Sequence, residues 1–491
     1  MARTLTPTIA ALLLGACAVG PDYREPPPVD TGSGWSQPSD DTPAAVDLSA
    51  WWTSLGDPAL NRLVTTALAD NLDVRQARWR IAEARALRDH AAGGYAPVLD
   101  AQGNVTRRRQ SENGPLPINN IPGIERDQTI YEAGFDAAWE IDLFGANQRT
   151  IEGAEARVQA ELAGAGDVRI SIAAEVARSY LTFRGAQREL AVRQASVATL
   201  QQTAELVQKR FEVGDAARAD VDTALARLAV ATAGLPRIKA RQRAAVLGLG
   251  VLLGTPPERE LALLETTTPQ IVLAPIPVGE RADVLRRRPD VRAAERRLAA
   301  SSADIGVATA ELFPKLSIGA GGGFQSLDSG QLFDSGSQTF SITPLISWRV
   351  FDGGRVRARI RASEARQQQA ALAYEQAVLS ALGDAERALS DYRHGLEAVE
   401  SRHTAVEAAR RSHAHAQARF DIGDITLTEL LAEERVLLEA EDAHARAQTT
   451  AATDLVALYK ALGGGWNAPD PHDEAAGTAQ NPAPAAEQGD A

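Results

Sequence analysis

The sequence predicts a mainly α-helical chain with a small β part, built as two duplicated halves. Three observations lead there: an internal repeat, two very long proline-free stretches, and short segments of period-two alternation. Arg210-Phe211-Glu212-Val213-Gly214-Asp215 returns as Arg419-Phe420-Asp421-Ile422-Gly423-Asp424. Trp139–Asp142 returns as Trp348–Phe351. Both pairs lie 209 residues apart (214 to 423, 139 to 348). Asn71-Leu72-Asp73-Val74-Arg75 also resembles Arg288-Pro289-Asp290-Val291-Arg292. A period this long is not that of a solenoid of small repeats.

Each half has the same order of elements. A helix at 57–92 or 289–312 comes first, closed by Pro97 or Pro314. A β-hairpin follows, at 98–143 or 316–351. Then comes a long helix at 147–212 or 354–420, about 66 residues and about 100 Å at 1.5 Å per residue. No proline occurs from Gly123 to Leu235 or from Leu345 to Ala468. The chain turns at Val213-Gly214 and Ile422-Gly423, glycine being the usual residue just past a helix end. It returns as an alanine-rich helix, as in Ala224–Ala229, that permits close antiparallel packing. Hydrophobic residues make up 44% and aromatics only 5%, with alanine prominent, which also favours long packed helices.

The alternating segments carry the sharpest signal. Tyr131, Ala133, Phe135, Ala137, Trp139, Ile141 and Leu143 share one face, and Glu132, Asp136, Glu140 and Asp142 the other. Phe340, Ile342, Pro344, Ile346, Trp348 and Val350 oppose Ser341, Thr343, Ser347 and Arg349. Leu99–Val105 and Leu316–Phe324 alternate more weakly. A half-buried soluble sheet would also alternate, but four strands on a helix-dominated chain amount to two hairpins. In lipid an open sheet edge leaves backbone groups unpaired. Single-chain barrels start at about eight strands, so closure requires oligomerisation. Two chains would supply eight strands and a filled lumen; three would supply twelve and an open one. The Gly, Pro, Asn and Ser-rich segments 111–128 and 328–338 suit extracellular loops.

The termini read differently. Met1-Ala2-Arg3, an apolar run from Ile9 to Leu14 and Gly15-Ala16 describe a secretory signal at 1–16. Leu14-Gly15-Ala16-Cys17 resembles a bacterial lipobox, which makes Cys17, the single cysteine, the expected site of a covalent lipid. Ala18, where aspartate would retain such a protein, fits outer-membrane sorting, as that resemblance implies. Residues 17–50 read as a Pro/Gly/Ser-rich tether, 51–255 as the first repeat, 256–466 as a linker and the second, and 467–491 as a disordered tail. The net charge of −13 argues against a nucleic-acid partner.

Several motifs occur in order: Cys17–Tyr23, Trp51-Trp52, Trp139-Glu140-Ile141-Asp142-Leu143-Phe144-Gly145, and Asp283–Glu295 continuing to Ile305–Ala308 and Phe313-Pro314. Together they resemble the TolC-like outer-membrane efflux family, in its lipoprotein branch of NodT/OprM type. The resemblance covers nearly the whole chain. It implies a homotrimer whose twelve-stranded β-barrel in the outer membrane continues as a long periplasmic α-helical barrel. It implies a passive exit duct for small toxic compounds, not an enzyme. The partners it implies are a periplasmic adaptor (membrane fusion protein) and an inner-membrane pump of the resistance-nodulation-division class. It places an acidic gate just after the second turn, at Glu429; three residues on, where a second acid is expected, stands Ala432. Asp421, Asp424, Asp215, Asp220 and Asp222 are further sources of pore charge, and Asp220 also reads as a first-turn helix acid. Arg210, Val213, Gly214, Arg419, Ile422 and Gly423 are the candidate adaptor contacts. A type I secretion duct for polypeptides and a non-conducting lipid-anchored coiled-coil spacer are the alternatives.

Other chemistry finds little support. Gly319 and Gly321-Gly322-Gly323 lack the Gly-Lys-Ser/Thr ending of a phosphate loop and read as tight packing in a strand. Glu400/His403 and Glu441/His444 are each Glu-x-x-His, but a dinuclear bundle site needs two further glutamates. No metal and no cofactor besides the lipid on Cys17 is expected.

Overall fold

The computed structural model describes residues 18–26, 29, 32, 34–36, 48–111, 125–265, 273–274, 276, 278 and 280–466. The signal segment, Cys17, most of the 111–128 loop and the tail 467–491 lie outside the described residues. The main elements are α1 (Pro58–Asp70), α2 (Leu72–Ala92), β1 (Val98–Arg109), β2 (Asp127–Ile141), α3 (Ala146–Glu212) and α4 (Arg218–Leu252). The second half follows with α5 (Arg281–Arg287), α6 (Pro289–Ala310), β3 (Lys315–Ser326), β4 (Gln338–Ser347), α7 (Arg355–Asp421) and α8 (Leu427–Ala461).

The helix expected over 57–92 is two helices. Asn71 divides them: its side-chain oxygen accepts from the backbone N–H of Asp73 (2.8 Å) and Val74 (3.2 Å), capping α2. Its amide donates to the Leu252 carbonyl at 2.8 Å. The helix expected from 289 to 312 ends at Ala310 and is preceded by α5. Both long helices match expectation to within about a residue.

The described residues form two compact units. One takes those that fall within Met1–Pro27, Ile81–Glu161 and Ala294–Tyr374, the other those that fall within Pro28–Arg80, Leu162–Ala293 and Glu375–Ala491. Each therefore takes segments from both halves of the repeat.

The first unit holds the β part. The two hairpins join into one antiparallel sheet of order β1-β2-β3-β4, with β2 and β3 paired from Tyr131↔Ser326 to Ile141↔Leu316. Gly134 and Gly323 are directly opposed. A Cβ on Gly323 would lie 2.6 Å from the Gly134 Cα, and one on Gly134 2.7 Å from the Gly322 carbonyl oxygen. The glycine run is thus a point of close backbone approach between the hairpins.

The second unit has a core of helix-borne residues, including Leu60, Leu63, Val64, Tyr180, Phe183, Leu249 and Leu458. Asp57 caps α1 by accepting from Ala59 N–H (2.9 Å) and also accepts from the buried Tyr180 hydroxyl (2.8 Å). Trp51 stacks on Tyr459 with centroids 4.8 Å apart. The Asp283–Glu295 motif is largely a joint. Arg288 donates to both carboxylate oxygens of Asp290 (2.9 and 2.6 Å) and to the Ala461 carbonyl (3.3 Å), and Trp466 donates to the Arg287 carbonyl (2.8 Å). A second small core gathers Leu200, Val207, Val221, Phe420, Leu427 and Leu430, binding the ends of α3, α4, α7 and α8.

Candidate functional site

Residues paired across a sheet share a face, so the register sorts the sheet. One face carries Leu99 and Val105 from β1, Tyr131, Phe135 and Trp139 from β2, Ile318 and Phe324 from β3, and Phe340, Ile342 and Ile346 from β4. Phe340 is 88% exposed, and Ile342 and Ile346 71% each. The other face carries Asp100, Asn104, Glu132, Asp136, Glu140, Lys315, Ser341 and Thr343. Lys315 pairs with Glu140 at 3.0 Å, while Asp100 and Asp136 stand directly opposite each other. An apolar band this exposed is unsuited to water and suited to lipid. The strands contain 12, 15, 12 and 10 residues, enough to span a bilayer when tilted.

Aromatic side chains mark where strands meet helices. The indole N–H of Trp139 donates to the Tyr95 carbonyl (2.9 Å), and that of Trp348, just past the end of β4, donates to the Leu312 carbonyl (3.0 Å). Phe144 stacks on Phe313 at 4.7 Å. Such girdles are typical of the interfacial ends of membrane strands. Among the described residues β1 and β4 each have a partner on one side only, so the sheet has two free edges.

The residues just after Cys17 are seated against this same region. Val19 N–H donates to the Phe144 carbonyl (3.1 Å). Arg149, only 4% exposed, donates to the Val19 carbonyl (3.3 Å), to Asp22 (2.6 Å) and to Glu152 (2.7 Å). The Tyr23 hydroxyl donates to Glu295 (2.7 Å), and burial with that carboxylate pushes the phenol well above its ordinary range. Gly145, with φ of 76°, leaves room for this strap: a Cβ there would sit 2.6 Å from the Ala18 Cα.

In the second unit the two hairpin tips are built alike. Gly214 and Gly423 adopt left-handed φ of 83° and 77°. The Asp215 and Asp424 N–H groups close the turns onto the Arg210 (2.7 Å) and Arg419 (2.9 Å) carbonyls. Val213 and Ile422 are each 80% exposed. The equivalent arginines differ. Arg210 donates to the Phe420 carbonyl (3.2 Å) and covers the Phe420 ring, tying one tip to the other, while Arg419 pairs with Asp424 (2.6 Å) within its own tip.

Five of the candidate acids, Glu429, Asp220, Asp222, Asp421 and Asp424, have local side-chain partners. Glu429 accepts from the backbone N–H (2.7 Å) and hydroxyl (2.8 Å) of Thr426, whose oxygen accepts in turn from Glu429 N–H: a complete capping box. The Thr426 N–H, then the hydroxyl, holds the Glu429 carboxyl below its ordinary range. Asp220 is the first-half counterpart. It accepts from Ala217 N–H (3.1 Å), but alanine offers no hydroxyl in return. Asp222 pairs with Arg218 (3.1 Å) and Asp421 accepts from Gln417 (2.9 Å).

Sequence reasoning missed Glu434. It is 6% exposed, and neither carboxylate oxygen has a hydrogen-bond partner. Burial pushes its carboxyl up to about 7. The available signal was its spacing: it falls four residues after the buried Leu430, on the apolar stripe of α8.

A family model described as outer membrane efflux protein matches residues 63–255 and 281–464. The chain belongs to that family. Outer membrane protein OprJ of Pseudomonas aeruginosa is 31% identical to this efflux protein, covering 94% of this chain and 95% of its own length. The toluene efflux pump outer membrane protein TtgI of Pseudomonas putida is 30% identical over 94% and 98%. The solved outer-membrane channel OprN is 36% identical, with a TM-score of 0.83 over 92% of this chain and all of that one (100%). The protein is thus an outer-membrane efflux channel component of a Gram-negative bacterium, with the TolC-like fold, and the known channels of this kind are trimers.

Proposed function

We propose that this efflux protein is a homotrimeric, passive exit duct, anchored by a lipid on Cys17, that completes a tripartite pump. An inner-membrane transporter of the resistance-nodulation-division class and a periplasmic adaptor deliver small toxic compounds to it, and the transporter supplies the energy. The observation that carries this reading is the sheet: four strands, one apolar face, one polar face and two free edges. Unpaired edges are not tolerated in lipid. Edge pairing among three copies would remove them all and turn the polar face into a lumen. TtgI's name supports small apolar toxicants as one cargo class. The exposed Val213 and Ile422 are the adaptor contacts, and Glu429, with Asp421 and Asp424, lines the mouth. No covalent step is required of the duct. The strap from Ala18 to Tyr23 supports the lipid assignment, because it seats the residue next to Cys17 beside the aromatic girdle.

The test is direct. Purified protein should run as a heat-sensitive trimer and open ion channels in planar bilayers, and deletion should sensitise cells to a panel of toxic compounds. Absence of both trimer and conductance would leave the coiled-coil spacer; conductance with unchanged sensitivity would favour polypeptide secretion.

A further inference from the structure

The two Glu-x-x-His motifs flanking the second turn have no part in the duct, yet the fold brings their histidines together. His403 on α7 and His444 on α8 face each other with ring centroids 5.5 Å apart and planes at 43°. The His444 Nδ1 atom is buried and has no hydrogen-bond partner. A buried ring nitrogen left unsatisfied beside a second imidazole is an open ligand position.

We propose that His403 and His444 form a mononuclear site for a divalent transition ion such as Cu²⁺ or Zn²⁺, bridging α7 and α8. The geometry fits. Two imidazoles bound at about 2.0–2.1 Å to a shared tetrahedral ion place their ring centres roughly 5.2 Å apart. Neutral imidazole suits copper, zinc and nickel, and copper binds most tightly in the divalent series. Glu441 is not a ligand, because Arg410 holds it at 2.8 and 3.0 Å. The cations facing the site are engaged: Arg410 also reaches Glu407, and Arg188 donates to Gln448. Among the described residues no group of three or more His, Cys, Asp or Glu converges, so water completes the coordination. This differs from the dinuclear arrangement weighed from sequence, which needs the Glu441 carboxylate that Arg410 holds.

The experiment uses the untagged, full-length trimer in detergent, titrated calorimetrically with Cu²⁺ and separately with Zn²⁺. One ion per chain should bind at micromolar metal, and Cu²⁺ should show an EPR spectrum with two imidazole nitrogens. His403→Ala and His444→Ala should each weaken binding at least about tenfold, whereas His394→Ala should leave it unchanged. His444→Gln, which keeps a polar side chain, guards against loss of folding, and the wild-type EPR signal is independent of any variant. No binding by the wild type, a spectrum without two nitrogens, or undiminished binding in the His403/His444 double variant would overturn the proposal.

Discussion

At the scale of single residues, the acids near the second turn divide by environment. Glu429 is fully exposed and held by Thr426, so its charged form favours the folded state. That stabilisation is present above the ordinary glutamate range and is lost as pH falls through the depressed folded value. Thr426→Ala should therefore fray the start of α8, costing about 1 kcal/mol, visible as faster amide exchange at residues 427–430. Glu429→Gln should also reduce cation preference in single-channel recordings; an unchanged ratio would remove Glu429 from the pore. Glu434 has the opposite sign. Its folded carboxyl sits at about 7 against an ordinary 4.5, so between those values the native state holds a proton that the unfolded chain has released. Stability should fall as pH rises from about 4.5 to about 7. Glu434→Gln should flatten that decline in thermal melts, and a slope identical to wild type would refute the assignment.

At the scale of elements, what could be read in advance was what repeats or alternates. The long helices and the helix-ending glycines Gly214 and Gly423 were legible because a proline-free alanine-rich run and a glycine stop are local signals. The strand faces were legible from period two, and the register bears out the alternation from Tyr131 to Ile141 and from Phe340 to Ile346. Trp348 and Val350 fall outside β4, because the ladder ends at Ser347 and the Trp348 indole turns to the Leu312 carbonyl. What could not be read was long-range: the β2–β3 pairing, the Arg210 contact with the Phe420 carbonyl, and the division of the first helix by Asn71, whose amide answers a carbonyl in α4. Of the site, the glycine turns of the tips and the apolar face of the sheet were legible. Glu434, the strap and the meeting of His403 with His444 were not. Gly323→Val tests the closest approach in the sheet. The added side chain meets the Gly134 backbone, so sheet pairing should fail, costing about 1–3 kcal/mol or more, with the trimer band lost from unheated gel samples.

At the scale of the whole molecule, two faces of one sheet must meet opposite solvents. Ile342→Arg would place a charge on the apolar face, at about 2–4 kcal/mol per chain near the bilayer midplane. The expected result is protein that accumulates without inserting, measured as its fraction in the outer membrane. Ser341→Arg, one position away on the polar face, should insert normally and change only conductance.

The joining of β2 to β3 also has a consequence in time. Glu132 and Gln325, hydrogen-bonded across that junction, are separated by 193 residues of chain. A chain exported from its N-terminus presents the first hairpin, with both edges open, long before its partner arrives. Closing so large a loop is slow, and an unpaired apolar strand is prone to aggregate in the interval. This protein is therefore expected to depend on a holding chaperone during export, and depleting periplasmic chaperones should lower the fraction of the chain that reaches the outer membrane, whereas an unchanged fraction would count against the dependence.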